Sequence, residues 1–264
     1  MPRARVADGE IEYSETGRGQ ALIFVSGLSG VGRGWQPQLS AFGARYRVVT
    51  YDQRGTGGSD QLQRHFSVDQ MAAELIGLMD ALGIERAHVV GQSTGGAIAQ
   101  TLAIEYPQRV RAAVMFSTWT HCDPWFRRLF EARRRMYLEC GAELHQMFHP
   151  LFLYPPDYVN THDAEIEEER RRSTAAAPPV EVSVARIDAI MRFDRRADLG
   201  RVRAPTLIMA AENDYITPSY FARALNTAIA GSKLRLFDGG GHSLSKTRPE
   251  EFNRVVLEFL AAHD

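Results

Sequence analysis

The stretch VVGQSTGGAIAQ, residues 89–100, restricts the fold more than any other part of the chain. An apolar run typical of a buried strand ends at Val90, and a helical pattern of small and apolar residues begins at Gly96. Between them, GQSTG has the form G-x-S-x-G, in which glycines leave room for a turn too tight for ordinary side chains. The pattern predicts a strand, a sharp turn that presents Ser93, and a helix. An ordinary glycine and serine turn is the alternative.

Short apolar runs elsewhere in the chain alternate with helical patterns. This alternation predicts an α/β fold with a mostly parallel central sheet flanked by helices. The predicted strands are 47–51, 87–90, 112–116, 206–210 and 234–237. At the start of the chain, 11–15 alternates and 21–25 is apolar, with glycines between them, so these two segments are predicted to form an antiparallel pair.

The alternation of strands and helices stops between Trp119 and Arg196. Arginine-rich helical patterns take its place, and they are interrupted by Pro150, Pro155, Pro156, Pro178 and Pro179. We interpret residues 119–196 as a helical cap inserted into an α/β core made of residues 1–118 and 197–264.

Charge and composition limit the partners. Lys plus Arg (31) nearly equals Asp plus Glu (32), so no general attraction to nucleic acid or anionic membranes is expected. A small-molecule substrate is the natural partner, with no metal or cofactor, and a homodimer is one option for assembly. Without an apolar export segment or a run near the ~18 residues of a membrane span, the chain is predicted to be cytoplasmic.

A serine hydroxyl is a weak nucleophile near neutral pH and needs a base close by. Of the eight histidines, His242 stands out because it follows three glycines just after the last predicted strand. The other seven, His65 among them, lack such a setting. The sequence therefore predicts His242 as the base that activates Ser93.

The base in turn needs an acid. Asp214 follows the predicted strand 206–210 in the loop AENDYITP and gives the chain order serine, aspartate, histidine. Glu212 and Asp123 are weaker candidates, and capping of a helix is the structural alternative for each of them. We therefore predict a catalytic triad of Ser93, Asp214 and His242.

Attack on a carbonyl creates an oxyanion, which backbone N–H groups stabilise. One donor is predicted to be Thr94, directly after the serine. The other belongs to the loop SGLSG after the strand 21–25, where Leu28 is best placed. An ordinary glycine turn is the alternative for this loop.

Five segments together resemble the α/β-hydrolase superfamily: SGLSG, YDQRGTGGSD, GQSTGG, AENDYITP and GGGH. In that superfamily the D-x-R-G-x-G turn, here residues 52–57, supports the site structurally, so Arg54 is not assigned to catalysis. GLSGVGRGWQPQL and the cap segment PLFLYP are similar to the carbamate or aminoacrylate hydrolases of pyrimidine-utilisation operons, and 3-oxoadipate enol-lactonases are a more distant likeness. Ser26 departs from the resemblance, because many relatives have histidine there.

The resemblance implies a cofactor-free serine hydrolase acting on a small carbamate, amide, ester or lactone. Enol-lactonase-like or carboxylesterase activity is the alternative, followed by a C–C hydrolase or lyase, a perhydrolase and a non-catalytic ligand-binding protein. Six residues are predicted to contact substrate, although the four in the cap would serve equally to dock it on the core. These are Ser26, Gly27, Trp119, Trp125, Phe130 and Met147. Any of the cap arginines 127, 128, 133, 134 and 135 that faces inward could bind a substrate carboxylate, but most must be solvated.

Overall fold

A twisted sheet forms the centre of the computed structural model, which describes residues 1–7, 9–61 and 66–264. His65 lies outside the described residues. The strands are β1 (Arg3–Val6), β2 (Gly9–Thr16), β3 (Gln20–Val25), β4 (Tyr46–Tyr51), β5 (Ala87–Gln92), β6 (Val110–Phe116), β7 (Thr206–Ala211) and β8 (Lys233–Phe237). Their order in the sheet is β1-β2-β4-β3-β5-β6-β7-β8, and β4, β3, β5, β6, β7 and β8 run parallel. The predicted α/β class with a mostly parallel sheet is confirmed.

The predicted antiparallel pairing of β2 with β3 is wrong. β2 pairs antiparallel with β1 on one side and β4 on the other, while β3 lies between the parallel strands β4 and β5. Both hydrogen-bonding edges of β3 are therefore occupied by later strands. Gly17, at the start of the β2–β3 connection, has a φ of +79°. A Cβ there would lie 2.2 Å from the carbonyl oxygen of Gly43 and 2.3 Å from that of Tyr46, the first residue of β4, so the connection packs tightly against the start of β4.

Helices cover both faces of the sheet. On one face, α1 (Gln36–Gly43) and α10 (Pro249–Ala261) pack on an apolar cluster that includes Phe24 and Phe252. The other face carries α2 (Val68–Ala81), α3 (Thr94–Glu105) and α8 (Ser219–Ala228), and the short α9 (Leu244–Thr247) follows β8. Among the described residues, no helix combines the length and hydrophobicity that crossing a membrane requires. The cytoplasmic location stays a prediction.

Four helical segments lie in the chain between β6 and β7. They are α4 (Pro124–Leu153), α5 (Pro156–Thr161), α6 (Asp163–Ala175) and α7 (Val180–Met191). The breaks at Pro155-Pro156 and Pro178-Pro179 coincide with helix starts, as expected, but Pro150 lies inside α4. Buried residues of α4 and α7 belong to the same apolar cluster as α2 and α3. The division into a core and a 119–196 cap stays a prediction.

The α4 segment is interrupted at Gly141, where φ is 76° and ψ is −173°. A straight helix would separate residues 133 and 145 by about 18 Å. Instead, Arg133 Nε donates a hydrogen bond to His145 Nε2 at 3.2 Å, so the two halves of α4 fold back on each other. The glycine supplies a backbone conformation that other residues rarely adopt.

Candidate active site

Ser93 lies between the end of β5 and the start of α3 in a strained conformation, with φ of 53° and ψ of −115°. Its N–H donates to the Phe116 carbonyl at 3.0 Å, and its carbonyl accepts from the Thr118 hydroxyl at 2.8 Å. Positive φ is costly for a residue with a side chain, so such a conformation persists only where the surroundings fix it. The contacts with the neighbouring β6 segment provide that constraint and hold the serine at the turn.

The glycines beside Ser93 are required by close backbone contacts. A Cβ at Gly91 would lie 2.2 Å from the Gly95 carbonyl oxygen, and a Cβ at Gly95 would lie 2.0 Å from the Val25 carbonyl oxygen. Real side chains do not approach backbone atoms that closely. The predicted reason for glycine at both positions is therefore confirmed.

Replacing Gly95 with alanine is expected to lower the free energy of unfolding by about 3 kcal/mol or more, because the methyl group would meet rigid backbone rather than a movable side chain. For a chain of this size the expected fall in Tm is about 6 to 12 °C in a thermal melt. Gly200→Ala is the matched control, since no atom lies within 4 Å of its added Cβ. An equal Tm for the two variants would contradict the steric argument.

Asp214 and His242 form a buried pair. His242 Nδ1 lies 3.0 Å and 2.9 Å from the two carboxylate oxygens of Asp214. The carboxylate also accepts from the backbone N–H groups of Ile216 and Thr217 and from the Thr217 hydroxyl, each at 2.9 Å. A carboxylate held this way accepts the Nδ1 proton and leaves Nε2 as the basic nitrogen.

Hydrogen bonds to the backbone of His242 hold it near the turn that carries Ser93. The Gln92 side-chain amide, one residue before Ser93, donates to the His242 carbonyl at 3.0 Å. The His242 N–H donates to the Leu153 carbonyl at 3.0 Å.

The Ser93 hydroxyl makes no hydrogen bond to the His242 ring, or to any other group, among the described residues. Such bonds are often long in unliganded enzymes and shorten when substrate binds.

The two other acid candidates have different partners. Glu212 accepts from the Ser219 hydroxyl and pairs with Arg223. Asp123 caps α4 through the Phe126 N–H at 2.8 Å and accepts from the Tyr220 hydroxyl. Asp214 is therefore the carboxylate that the structure places beside His242.

The loop after β3 lies against Ser93. A Cβ at Gly27 would lie 3.3 Å from the Ser93 Cβ and 3.8 Å from its hydroxyl oxygen. The Gly27 carbonyl accepts from the Gly30 N–H at 3.0 Å. Within the described ranges, neither the Leu28 N–H nor the Thr94 N–H donates a hydrogen bond to the protein. Two backbone donors next to the serine thus lack protein acceptors.

Three side chains that the sequence analysis did not single out hold this loop in place. The Gln53 side-chain amide nitrogen donates to the Ser26 carbonyl at 2.8 Å. Arg186 of α7 donates to the Gln53 side-chain oxygen Oε1 at 2.6 Å and to the Leu28 backbone carbonyl at 3.2 Å. The Ser26 hydroxyl accepts from the Trp35 indole at 3.0 Å. Because Arg186 is 158 residues from Leu28, no local signal could have revealed this contact.

The six predicted substrate contacts lie in different environments. Trp119 and Phe130 are buried, and each packs against Phe126 in the main apolar cluster. Trp125 is 38% exposed and donates to the Tyr215 carbonyl at 3.1 Å. Met147 is 54% exposed. Ser26 and Gly27 belong to the loop beside Ser93, and substrate contact by any of the six stays a prediction.

A cavity of about 370 Å³ lies where the end of α4 meets the loops that carry Asp214 and His242. Its walls include Phe152, Pro155, Asn213, Tyr215 and Gly241. None of the six predicted substrate contacts lines this cavity. Asn213 and Tyr215 flank Asp214 in the sequence, and Gly241 precedes His242, so the cavity borders the loops of the acid and the base.

The sharp turn after β5, the buried carboxylate–imidazole pair and the mostly parallel sheet define a hydrolase class. The chain belongs to the alpha/beta hydrolase fold family, whose sequence model matches residues 20–249. It is a hydrolytic enzyme.

Two similar sequences come from Azorhizobium caulinodans, at 36% identity over all of both chains, and a Caulobacter species, at 37% identity over 92% of this chain and 91% of the relative. Both carry the name "Putative carbamate hydrolase RutD". The solved enol-lactonase from Burkholderia xenovorans superimposes with a TM-score of 0.91 at 24% identity, covering 98% of this chain and all of that one. At that identity the structural likeness shows the fold alone.

Proposed function

We propose that this hydrolase cleaves a small carbamate, amide, ester or lactone through a covalent acyl-enzyme on Ser93. His242 removes the hydroxyl proton as Ser93 attacks the carbonyl, and it later returns the proton to the leaving group. Asp214 orients the imidazole and stabilises its protonated form. Water then releases the acyl group by the same steps in reverse.

The buried Asp214–His242 pair, fastened to the strained Ser93 turn by the Gln92 hydrogen bond, carries this proposal. No other described residue gives His242 a carboxylate partner. The mechanism requires the Ser93 hydroxyl to come within hydrogen-bond reach of Nε2, and such contacts often form or shorten only when substrate binds.

The two unpaired N–H groups support the proposed oxyanion site. Thr94 directly follows Ser93, Leu28 belongs to the loop whose Gly27 lies against Ser93, and neither amide has a protein acceptor among the described residues. A developing oxyanion would supply the missing acceptor, and each such donor contributes roughly 3 kcal/mol to the transition state.

The carbamate part of the proposal comes from the name that the bacterial relatives carry. A carbamate carbonyl needs the same nucleophile, base and oxyanion donors as an ester carbonyl, so the site suits either. Matched carbamate and ester substrates with one leaving group would rank the two classes by kcat/KM.

The covalent step predicts an adduct that mass spectrometry can detect. After rapid mixing with a 4-nitrophenyl ester and an acid quench, the peptide that contains Ser93 is expected to gain the mass of the acyl group, since deacylation often limits turnover of activated esters. A pre-steady-state burst of 4-nitrophenol should accompany it. Turnover with an adduct only on another residue would refute Ser93 as the nucleophile.

A further inference from the structure

Arg133 is a buried cation that has no carboxylate partner among the described residues. It lies in the first half of α4 and is 3% exposed, yet no Asp or Glu oxygen of the described residues lies within ion-pairing distance. Its neighbours differ, because Arg134 pairs with Asp188 at 2.9 Å and Arg127 with Glu131 at 3.5 Å. Removing a guanidinium from water without a counter-ion is costly, so such a group calls for an explanation.

The protein contacts of Arg133 leave most of its donors unused. Nε donates to His145, and the guanidinium carbon lies 4.9 Å and 5.9 Å from the ring centres of Phe130 and Phe152. Aromatic contacts involve the face of the guanidinium and do not use its N–H groups. Within the described ranges, the two terminal nitrogens donate no hydrogen bond, and neither is fully enclosed.

The Arg133 guanidinium keeps its positive charge although it is buried. Burial lowers the pKa of Arg133 to about 10, so it stays positively charged at neutral pH. Burial, and then the charge on Arg133, holds the pKa of His145 far below its usual range. His145 is therefore neutral, and because its Nε2 accepts from Arg133, its proton is on Nδ1, a buried donor with no partner in the described part of the chain.

Arg133 contacts the same end of α4 that contacts the proposed base. Its guanidinium carbon lies 5.9 Å from the ring centre of Phe152, which also lines the cavity beside the loops of Asp214 and His242. The next residue, Leu153, accepts a hydrogen bond from the His242 N–H at 3.0 Å. The cation and the base therefore contact two adjacent residues of one helix end.

We propose that Arg133 binds a carboxylate of the substrate, so that the enzyme acts on small carbonyl compounds that carry a free carboxylate away from the scissile bond. Two terminal N–H groups match the two oxygens of a carboxylate in a bidentate pair. A single cation walled by Phe130 and Phe152 neutralises one negative charge, which suits a carboxylate better than a phosphate dianion. This inference rests on the proposed function and specifies its substrate class.

Two matched ester series test the proposal. The mono-4-nitrophenyl esters of succinic, glutaric and adipic acid keep a free carboxylate, whereas the methyl 4-nitrophenyl diesters of the same acids do not. For at least one chain length, the ratio of kcat/KM for the anionic ester to that for the neutral ester should be roughly 10 to 100 in the wild type. In Arg133→Met that ratio should fall at least tenfold.

Arg135→Met is the matched control, because Arg135 lies two residues away on the exposed side of the same helix. Its ratio should equal that of the wild type within twofold. If Arg133→Met keeps a ratio within tenfold of the wild type at every chain length, the proposal is wrong. Thermal melts of both variants establish that they are folded under the assay conditions.

Calorimetry with the unmodified enzyme tests the same inference without a variant. Butyrate should bind at least tenfold more tightly than butyramide, since the two differ chiefly in charge. Equal or weaker binding of butyrate would overturn the carboxylate site. If the enzyme hydrolyses neither ester series, the proposed function fails, yet the calorimetric comparison still decides whether the anion site exists.

Discussion

Ser93→Ala is expected to lower kcat for a 4-nitrophenyl ester by roughly 10⁴- to 10⁶-fold, because the proposed mechanism has no other nucleophile. The fold should persist, because alanine fits the space of a serine whose hydroxyl makes no hydrogen bond to the described residues. The turn is held by hydrogen bonds of the Ser93 backbone to the Phe116 carbonyl and the Thr118 hydroxyl, which alanine keeps. Steady-state kinetics with highly purified protein, together with a thermal melt, would measure both effects.

Ser117→Ala is the matched control for this result. Ser117 is also buried, also has a positive φ of 47°, and has a hydroxyl without a partner in the described residues. It lies at the end of the neighbouring strand, so any general effect of removing a buried hydroxyl there should appear in it as well. We expect kcat to stay within about threefold of the wild type, on the scale of a modest packing change. A fluorophosphonate should label the wild type and Ser117→Ala but not Ser93→Ala, and full activity in Ser93→Ala would disprove the mechanism.

Asp214→Asn is expected to reduce kcat by roughly 10³- to 10⁴-fold with little change in KM. The asparagine amide would point an N–H₂ group at His242 Nδ1 or leave an unmatched donor beside the Ile216 and Thr217 N–H groups. The first arrangement leaves the amide oxygen to accept from these two N–H groups and is therefore favoured. It stabilises the imidazole tautomer with its proton on Nε2, which cannot accept a proton from Ser93.

Glu212→Gln tests whether the effect belongs to Asp214 alone. Glu212 is in the same loop but binds Ser219 and Arg223, away from His242. Its kcat should stay within about twofold of the wild type, as for other surface changes. A large loss in Glu212→Gln with a small one in Asp214→Asn would transfer the acid role to Glu212.

Local signals predicted the turn around Ser93 because its requirements are local. Gly91 and Gly95 must be glycines because a Cβ at either position would collide with backbone atoms a few residues away or on the adjacent strand. The strand before them and the helix after them also have clear sequence patterns. The acid loop was also predictable, since Asp214 follows a strong apolar strand. Thr217 lies three residues after Asp214 and donates to its carboxylate, a local turn contact that the sequence spacing could have predicted.

The errors and omissions came from contacts between distant parts of the chain. The predicted β2–β3 pairing was wrong because β4 and β5, which come later in the sequence, occupy both edges of β3. The residues near Gly17 contain no signal for those two strands. The fold-back of α4 depends on one glycine at 141, which the sequence alone does not distinguish from any other glycine in a helical pattern. Arg133 could not be separated from the other arginines of α4 until that fold-back brought it beside His145.

The backbone link between α4 and the base also restricts how ligands enter and leave. The Leu153 carbonyl accepts from the N–H groups of both His242 and Ser243, at 3.0 Å and 3.2 Å. Lifting this end of α4 would break both bonds and disturb the base at the same moment. Ligand exchange that keeps the base in place therefore leaves this end of α4 docked, and a cross-link between residue 153 and its neighbours should leave turnover intact.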